Sequence, residues 1–440
     1  MKAIIQPGRA AGTVQAPPSK SIDHRMLICS GLTGGLSNLS GVSGSRDIVA
    51  TMGALSALGA EIKRSSSGSI QVRGTGVPGV FSAGCSDSSE KKEILPLIDC
   101  GESGSTLRFL IPVSLLFGGG IFKCAPRLME RGISVYEKIL PEKAIEISSD
   151  RESCLITVSG ILQAGSYVIP GNISSQFATG LLLALPLLPE TSRLIVKGPV
   201  ESRPYIDITL DVMRQFGVHV KVSEARSVET DCCDLIFTIP GRQQYKAGNY
   251  VTEGDWSNAA FLYALKKIKE INQEWDSSQK NSTMTITGLN PSSSQGDRVC
   301  PELIDSISRR GTEKALDISG CPDLGPVLMA FGAATGGCYL TGTERLRIKE
   351  SDRGQAMAQE LAKFGIEVRC GENDIKVFPG KLQKPVEILR GHNDHRIVMS
   401  LAVLSTITGG TIDDAEAVSK SWPDFWHVLF SLGIHVDLEN

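Results

Sequence analysis

One pattern recurs six times along the chain and limits the possible folds more than any other feature. Each copy is a short apolar run that ends in a small polar loop and then enters an apolar helix. Repetition at this scale indicates an array of similar α/β modules. Because the helices are apolar on most faces, we expect them in domain interiors. The six loops are residues 16–21, 100–105, 170–175, 253–258, 319–324 and 390–395.

The second half of each repeat adds a helix and two further strands. In the fifth copy a strand at residues 338–341 precedes a helix at 352–364, and Gly365 stops that helix before a hairpin within 366–377. The first copy keeps the same order, with Gly59 as the helix stop. We therefore predict an α/β fold built from βαβαββ modules, three in each of two similar domains.

The length of the chain and one polar segment suggest where the domains divide. A chain of 440 residues is too long for one ordinary core. The polar stretch 241–247 separates the third module from the fourth. If residues 1–16 supply a strand to the later domain, the chain crosses twice, near Pro17 and near Ala247, and two crossings make a hinge suited to closure. The predicted domains are 17–247 and, together, 1–16 and 248–440, with the active site in the cleft between them.

Composition excludes several functional classes. A net charge of −3, with no basic stripe carrying interleaved aromatic residues, argues against nucleic acid as a partner. No apolar stretch is long enough to span a membrane, and the first residues carry no apolar targeting segment. The eleven cysteines have no C-x-x-C spacing and are odd in number, which indicates reduced thiols. We expect a cytoplasmic, monomeric protein that does not contact membranes.

Basic side chains gather at or near the helix starts. Helix N-termini carry unpaired backbone N–H groups and favour anions. In a chain whose net charge is −3, such a set predicts one concentrated cationic cleft. Any single member could instead be a solvated charge at a helix end. The residues are Lys20, Arg25, Arg108, Arg131, Arg203, Arg347, Lys349, Arg353, Arg396 and Lys420.

A few acidic and hydrogen-bonding residues complete the candidate site. Asp323 lies at a loop-to-helix junction, where N-capping alone could also explain it. Glu350 is flanked by cations, which favour its ionised form. The same run of charges could also belong to a surface helix with no functional role. Ser174, Ser175 and Gln176 stand together at a helix start, and capping explains one serine but not all three residues. His395 could shuttle a proton or act as a structural donor.

Several familiar catalytic motifs are absent from the sequence. There is no G-x-x-x-x-G-K-S/T loop and no G-x-G-x-x-G between a strand and a helix. H-E-x-x-H, Cys/His spacing typical of zinc and a G-x-S-x-G elbow are also missing. We therefore expect no metal and no cofactor. Many cations with a few carboxylates and a histidine suit acid–base chemistry on anionic substrates.

Six ordered motifs extend over nearly the whole chain, at residues 16–25, 100–108, 174–177, 202–207, 346–353 and 393–396. Together they resemble the 5-enolpyruvylshikimate-3-phosphate synthases, a family of enolpyruvyl transferases. The resemblance implies two inside-out α/β barrel domains of three βαβαββ units each, joined by a two-strand hinge. It also implies transfer of the enolpyruvyl group of phosphoenolpyruvate to the 5-hydroxyl of shikimate 3-phosphate, with release of phosphate, in the shikimate pathway of aromatic amino-acid biosynthesis.

The resemblance also implies roles for individual residues. The catalytic candidates are Asp323, Glu350, Lys20, Lys420 and His395. The residues expected to bind shikimate 3-phosphate are Lys20, Ser21, Arg25, Ser174, Ser175, Gln176, Ser202, Tyr205, Asp323 and Lys349. The residues expected to bind phosphoenolpyruvate are Lys20, Gly104, Arg108, Arg131, Gln176, Arg353, Arg396 and Lys420.

The implied chemistry explains why these residue types occur together. Protonation of the phosphoenolpyruvate methylene leaves a cation that Glu350 or Asp323 can stabilise. Asp323 is the candidate base for the attacking hydroxyl. Glu350, Lys20 and Lys420 would assist the collapse of the tetrahedral intermediate and the departure of phosphate. The sequence leaves open how Asp323 and Glu350 divide the proton transfers.

Three residues depart from the pattern of the family. Glu102 stands where Asn is frequent, Arg345 replaces an Asn before the Lys-Glu motif, and Phe109 replaces a frequent Pro after Arg108. Glu102 and Phe109 flank the helix start that contains Gly104, and we expect either to be able to narrow the phosphoenolpyruvate site. Since Gly104 has no side chain, inhibition by glyphosate in competition with phosphoenolpyruvate is expected.

Two other functional classes remain open at this point. A UDP-N-acetylglucosamine enolpyruvyl transferase would share the fold, but such enzymes usually carry a cysteine in a mobile loop and lack the Asn-Asp-His-Arg run at 393–396. A non-catalytic protein or one that binds nucleic-acid ends could be built from related modules. The acidic balance and the four tryptophans argue against the nucleic-acid alternative.

Overall fold

The computed structural model describes residues 1–65, 68–76, 95–226, 232–273 and 284–439. Cys85, one of the eleven cysteines, lies outside this part of the chain. The chain divides into two compact units. The central unit comprises Lys20–Val42 and Asp47–Thr252, and the terminal unit comprises Met1–Ser19, Ser43–Arg46 and Glu253–Asn440.

Short strands and helices alternate along the described chain. The helices are α1 (Lys20–Gly31), α2 (Arg46–Ala57), α3 (Gly104–Ser114), α4 (Pro126–Arg131), α5 (Ser134–Ile139), α6 (Ser175–Ala184), α7 (Arg203–Gln215), α8 (Trp256–Gln273), α9 (Cys300–Arg310), α10 (Gly325–Thr335), α11 (Arg353–Lys363), α12 (His395–Thr408) and α13 (Phe425–Ser431). The strands are β1 (Lys2–Ile5), β2 (Gly12–Gln15), β3 (Leu36–Ser40), β4 (Glu61–Arg64), β5 (Ile70–Arg73), β6 (Leu97–Gly101), β7 (Gly119–Cys124), β8 (Glu146–Asp150), β9 (Leu155–Ser159), β10 (Ser166–Pro170), β11 (Ser192–Lys197), β12 (Lys221–Arg226), β13 (Cys233–Ile239), β14 (Asn249–Val251), β15 (Met284–Thr287), β16 (Ala315–Asp317), β17 (Cys338–Thr341), β18 (Val368–Cys370), β19 (Asp374–Val377), β20 (Gly410–Ile412) and β21 (Val436–Glu439).

Each sheet of the central unit corresponds to one copy of the predicted module. The strand orders are β14-β3-β5-β4, β6-β7-β9-β8 and β10-β11-β13-β12. In the last of these, β10 and β11 are parallel, whereas β11 with β13 and β12 with β13 are antiparallel. A parallel pair needs a helical crossover and an antiparallel pair does not, so the βαβαββ order accounts for this arrangement. The first copy takes its opening strand, β14, from the far end of the unit.

In the terminal unit, two strands from the start of the chain complete later copies. β1 lies between β20 and β21 and is antiparallel to both, while β2 pairs in parallel with β15. The fifth copy forms a four-stranded sheet, β16-β17-β19-β18. The fourth copy is shorter than the predicted module, because α9 ends at Arg310 and β16 begins at Ala315, which leaves no room for two further strands.

Helices fill the interior of each unit, and sheets lie on the outside. Nearly every residue of α6 is buried in the central unit, as are most residues of α10 and α12 in the terminal unit. By contrast, all residues of the edge strand β12 are exposed. This arrangement explains why the helices are apolar on most faces, and it confirms the predicted inside-out architecture. Among the described residues the strands form separate sheets, with no closed barrel.

Side-chain caps fix the starts of four helices that carry candidate residues. Ser103 accepts a hydrogen bond from the Thr106 N–H at α3, and Ser174 accepts one from the Gln176 N–H at α6. Asp352 caps α11 and Asp394 caps α12 in the same way. Such caps set the direction in which each helix N-terminus points, so they also determine where the neighbouring cations lie.

Candidate active site

Lys20 is the first residue of α1 in the central unit. Its Nζ lies 3.0 Å from Asp47 Oδ2, and the two side chains are 15% and 16% exposed. The ammonium group is therefore held in place while part of it still faces solvent. Asp47 is not among the residues predicted from the sequence, because 27 positions separate it from Lys20.

Arg25, one turn further along α1, is held mainly by the protein. Its guanidinium donates to Thr209 Oγ1 at 2.7 Å and to the backbone oxygens of Ser21 and Tyr205. It also lies over the Phe109 ring, 4.9 Å from the centroid. Burial lowers the pKa of Arg25 to about 9, which leaves it cationic at neutral pH. Phe109 thus belongs to the core beneath Arg25.

Gly104 begins α3 directly beside two arginines. A Cβ at this position would lie 2.9 Å from Arg108 Nη1 and 3.2 Å from Arg131 Nη2. Arg108 in turn donates to Gln176 Oε1 at 2.7 Å and to the backbone oxygen of Gly132 at 2.8 Å. These contacts bring together four of the residues predicted to bind phosphoenolpyruvate, and they explain why a residue without a side chain stands at the helix start.

The remaining candidates of the central unit lie on neighbouring helix starts. Gln176 donates through Nε2 to Ser105 Oγ at 3.1 Å, which connects the starts of α6 and α3. Ser175 and Ser202 are buried, and Ser202 has a left-handed backbone (φ 54°) just before α7. Tyr205 contributes its backbone oxygen to Arg25. Ser174 and Ser175 therefore lie at the start of α6, as predicted, and Ser202 and Tyr205 lie at the start of α7.

Asp323 in the terminal unit is surrounded by cations. Its Oδ1 lies 3.2 Å from Lys349 Nζ and 2.8 Å from Arg353 Nη1. Its Oδ2 lies 3.1 Å from Arg396 Nη2. The carboxylate is 16% exposed, so three cations neutralise a charge that still has access to solvent. Asp323 and these three predicted cations therefore form one cluster in the terminal unit.

Arg353 joins three carboxylates at the start of α11. It donates to Asp323, to Glu350 Oε2 at 2.7 Å and to Asp394 Oδ2 at 2.8 Å, and its side chain is only 1% exposed. Asp394 is completely buried and also accepts a hydrogen bond from Ser351 Oγ at 3.0 Å. Burial alone would raise the pKa of Asp394, but Arg353 outweighs it and lowers that pKa. Sequence analysis treated Asp394 only as part of a motif.

Lys349 combines burial with a mixed electrostatic environment. Burial lowers the pKa of its ammonium group to about 8, with Asp323 opposing and Arg345 and Arg353 reinforcing the shift. Arg345 is buried as well. Arg345 is one of the three residues that depart from the family pattern. Its positive charge lowers the pKa of Lys349, a predicted ligand of shikimate 3-phosphate.

Lys420 and His395 flank the start of α12. Lys420 donates from Nζ to the backbone oxygen of Asn393 at 2.6 Å. Asn393 has a left-handed backbone, with φ of 48°, and its N–H donates to Asp414 Oδ2 at 3.0 Å. His395 is buried, with Nδ1 3.8 Å from Asp394 Oδ1. The loop before α12 therefore fixes the position of the Lys420 ammonium group.

The predicted residues divide into two sets, one in each unit, which are called the central cluster and the terminal cluster. The central cluster contains Lys20, Ser21, Arg25, Gly104, Arg108, Arg131, Ser174, Ser175, Gln176, Ser202 and Tyr205. The terminal cluster contains Asp323, Lys349, Glu350, Arg353, His395, Arg396 and Lys420. The carboxylates Asp47 and Asp394 were missed. The sequence did contain a signal for Asp394, because aspartate is a favoured N-cap residue and Asp394 immediately precedes a helix.

Two further findings bear on the kind of site. Among the described residues, no group of three or more His, Cys, Asp or Glu side chains could hold a metal ion. No helix in that part of the chain is long and apolar enough to cross a membrane. Repeated α/β modules whose helix starts present Lys, Arg and paired carboxylates define a class of transferase that acts on small anionic molecules.

Comparisons with known proteins identify the family within this class. Residues 4–429 match EPSP synthase (3-phosphoshikimate 1-carboxyvinyltransferase). A 3-phosphoshikimate 1-carboxyvinyltransferase of Clostridium perfringens is 37% identical, over 98% of each chain. That of Clostridium kluyveri is 36% identical, over 98% of this chain and 97% of its own. The chain therefore belongs to the EPSP synthase family.

Solved structures show the same fold. The EPSP synthase of Acinetobacter baumannii superposes with a TM-score of 0.73 at 22% sequence identity, covering 99% of this chain and all of its own. A second structure of EPSP synthase from this organism gives a TM-score of 0.74. The predicted family, fold class and transferase activity are confirmed: this is an enzyme of the shikimate pathway that transfers the enolpyruvyl group of phosphoenolpyruvate to shikimate 3-phosphate.

Proposed function

We propose that the central and terminal clusters carry out this enolpyruvyl transfer, with the residue roles predicted above. The observation that carries the proposal is the environment of Asp323. Its carboxylate is ion-paired with Lys349, Arg353 and Arg396 and still faces solvent. A carboxylate held in place among cations can accept a proton from a substrate hydroxyl while the same cations bind the anionic groups of both substrates.

Shikimate 3-phosphate would be held by hydroxyl groups and cations. Ser174 and Ser175 lie at the start of α6, where a helix N-terminus favours a phosphate. Lys20 and Lys349 would add charge to these hydrogen bonds. The ligands proposed for shikimate 3-phosphate are Lys20, Ser21, Arg25, Ser174, Ser175, Gln176, Ser202, Tyr205, Asp323 and Lys349.

Phosphoenolpyruvate would take the space beside Gly104. The guanidinium groups of Arg108 and Arg131 lie within 3.3 Å of the position of an added Cβ, so an anion entering this space would meet both. Arg353 now binds three carboxylates and would redistribute those contacts when substrate arrives. The ligands proposed for phosphoenolpyruvate are Lys20, Gly104, Arg108, Arg131, Gln176, Arg353, Arg396 and Lys420.

The chemistry follows from the charges in the terminal cluster. Asp323 would accept the proton of the 5-hydroxyl of shikimate 3-phosphate while the hydroxyl oxygen attacks the substituted carbon of phosphoenolpyruvate. Glu350, which shares Arg353 with Asp323, would stabilise the cationic carbon formed when the methylene is protonated. Departure of phosphate from the tetrahedral intermediate would be assisted by Lys20 and Lys420, and Glu350 would assist by accepting the methyl proton whose removal restores the double bond.

Phosphate release tests the proposal directly. The purified chain should release phosphate from phosphoenolpyruvate when shikimate 3-phosphate is present, and not with UDP-N-acetylglucosamine. Asp323→Asn should lower kcat by roughly 10²- to 10⁴-fold, the range for loss of a general base. Asp305→Asn is a matched control, because Asp305 is an exposed partner of Lys267 on the surface of the same unit. Turnover by Asp323→Asn at the wild-type rate would contradict the assignment.

We further propose that the enzyme acts in the cytoplasm as a monomer. The odd number of cysteines without C-x-x-C spacing supports a reducing compartment. Most cysteines in the described residues are buried, among them Cys29 and Cys100. Light scattering of the purified protein would test the monomer, and fractionation of the cells that produce it would test the compartment.

A further inference from the structure

Asp297 is a buried carboxyl group that the proposed mechanism does not use. It lies in a single turn of 3-10 helix, Gly296–Val299, and is 2% exposed. Ser257 Oγ forms a hydrogen bond with its Oδ2. Among the described residues, its Oδ1 has no hydrogen-bond partner. An ionised carboxylate here would leave a charged oxygen buried without a hydrogen bond, which is far more costly than a neutral carbonyl oxygen in the same place.

The turn that carries Asp297 and the turn that carries Asp323, Pro322–Leu324, both pack against α8. The pKa of Asp297 is raised to about 7, because burial and the negative charge of Asp323 raise it by more than Arg396 and the Ser257 hydroxyl lower it. Asp255, which precedes α8, adds a smaller effect in the same direction as Asp323. The other titratable groups that interact with Asp297 are the thiols of Cys300 and Cys321, both of which are neutral at physiological pH because burial raises their pKa.

The two carboxyl groups differ in the partners that the fold gives them. Asp323 is paired with three cations, Lys349, Arg353 and Arg396. Asp297 has the hydroxyl group of Ser257 as its hydrogen-bond partner. Arg396 lowers the pKa of Asp297, but this cation already forms an ion pair with Asp323. Like charges in one buried site cannot both ionise cheaply, so the carboxyl group with the poorer partners keeps the proton.

We propose that Asp297 is a positioning residue that holds a proton beside Asp323, so that the two carboxyl groups together carry a single negative charge. The inference rests on the proposed function, in which Asp323 accepts the hydroxyl proton and Arg396 binds phosphoenolpyruvate. While Asp297 is protonated, Arg396 remains available to Asp323 and the substrate. When Asp297 loses its proton, its carboxylate competes for Arg396, and affinity for phosphoenolpyruvate falls.

This proposal predicts a pH dependence that a purely structural role would not give. In the wild-type enzyme, kcat/KM for phosphoenolpyruvate should fall by roughly tenfold as pH rises through about 7, the pKa of Asp297. Asp297→Asn keeps the shape of the side chain but cannot ionise, so this transition should disappear. Ser257→Ala removes the hydrogen bond that favours the ionised form, so the transition should move to higher pH.

A control variant shows whether the pH dependence is specific to Asp297. Asp305→Asn removes an exposed carboxyl group of the same unit and should keep the wild-type profile. The phosphate groups of the substrates also titrate near neutral pH, but they do so equally in every variant. A transition that persists unchanged in Asp297→Asn would overturn the inference. So would an equal loss of kcat/KM at every pH, because that is the result of a structural defect.

A spectroscopic readout separates this inference from the proposed function. Infrared difference spectra of folded wild-type protein against Asp297→Asn, taken near pH 6 without substrate, should contain the C=O stretch of a buried protonated carboxylic acid. The same spectra against Asp305→Asn should lack it. Absence of the band overturns the role of Asp297 even in an active enzyme. A wild-type protein that shows the band but has no turnover with shikimate 3-phosphate overturns the proposed function instead.

Discussion

Replacement of Arg353 by Met removes the cation that three carboxylates share. Asp323 and Glu350 keep contact with solvent and can be rehydrated, but Asp394 is completely buried. Its two hydrogen bonds from Arg353, at 2.8 and 3.3 Å, have no replacement in a methionine side chain. The variant therefore leaves an uncompensated negative charge in the interior of the terminal unit.

The expected loss of stability follows from the burial of this pair. Removing one partner of a buried ion pair costs roughly 3 to 5 kcal/mol, because the other partner stays buried and charged. For a unit of this size, roughly 2 °C is lost for each kcal/mol, so Tm should fall by at least roughly 6 °C. Asp394→Asn in the same background removes the unpaired charge and should restore part of the loss.

The pH dependence gives the loss a specific signature. In the wild-type protein the pKa of Asp394 is lowered, so this group stabilises the fold above its unfolded-state pKa and the stabilisation disappears as pH falls through the folded-state value. Without Arg353, burial dominates and the pKa of Asp394 rises instead. The deficit of Arg353→Met should therefore be largest near neutral pH and should shrink as acid protonates Asp394.

Urea unfolding followed by circular dichroism at several pH values measures both effects. Arg369→Met is the matched control, because Arg369 is exposed and pairs with the exposed Glu367. Its effect should stay within roughly 1 kcal/mol, as for other surface ion pairs. A loss below roughly 1 kcal/mol for Arg353→Met, or a deficit that stays constant with pH, would refute the reasoning.

Three further predictions concern substrate binding. Lys20→Met should lower the rate of phosphate release by roughly 10²-fold or more with little change in Tm, whereas the exposed Lys63→Met should not. Gly104→Ala should raise KM for phosphoenolpyruvate and weaken competitive inhibition by glyphosate, because the added Cβ would lie 2.9 Å from a guanidinium nitrogen of Arg108. Gly53→Ala is the control, because the space around Gly53 is open. Affinity for shikimate 3-phosphate should fall as pH rises through about 8, where Lys349 loses its proton, and Lys349→Arg should remove that transition. Rates or affinities that match the wild type would contradict each assignment.

The positions of the elements could be predicted because their signals are local. The predicted strand at residues 338–341 is β17, and the predicted helix at 352–364 is α11, which the structure limits to Arg353–Lys363 with Asp352 as its cap. Apolar spacing, a glycine stop and a capping side chain act over a few residues, so the sequence records them directly. The prediction that all six copies share one complete module was less accurate, because the fourth copy lacks the last two strands between α9 and β16.

The electrostatic partners could not be predicted in the same way. Arg353 and Asp394 are separated by 41 positions, and Ser257 and Asp297 by 40. Sequence motifs placed each cation at a helix start, but they did not say which carboxylate would neutralise it. Phe109 illustrates the same limit, since its place beneath Arg25 follows from a contact between side chains of α3 and α1 and not from its neighbours in the chain.

The sequence by itself determined the repeat, the helix starts and the types of side chain that those starts present, and these were enough to indicate the family and its chemistry. Only the tertiary structure decided how the charges are shared: that Arg353 serves three carboxylates, that Asp394 is buried without access to water, and that Asp297 is buried with a hydroxyl group as its partner. The physical reason is that secondary structure depends on neighbours in the chain, whereas desolvation and ion pairing depend on neighbours in space.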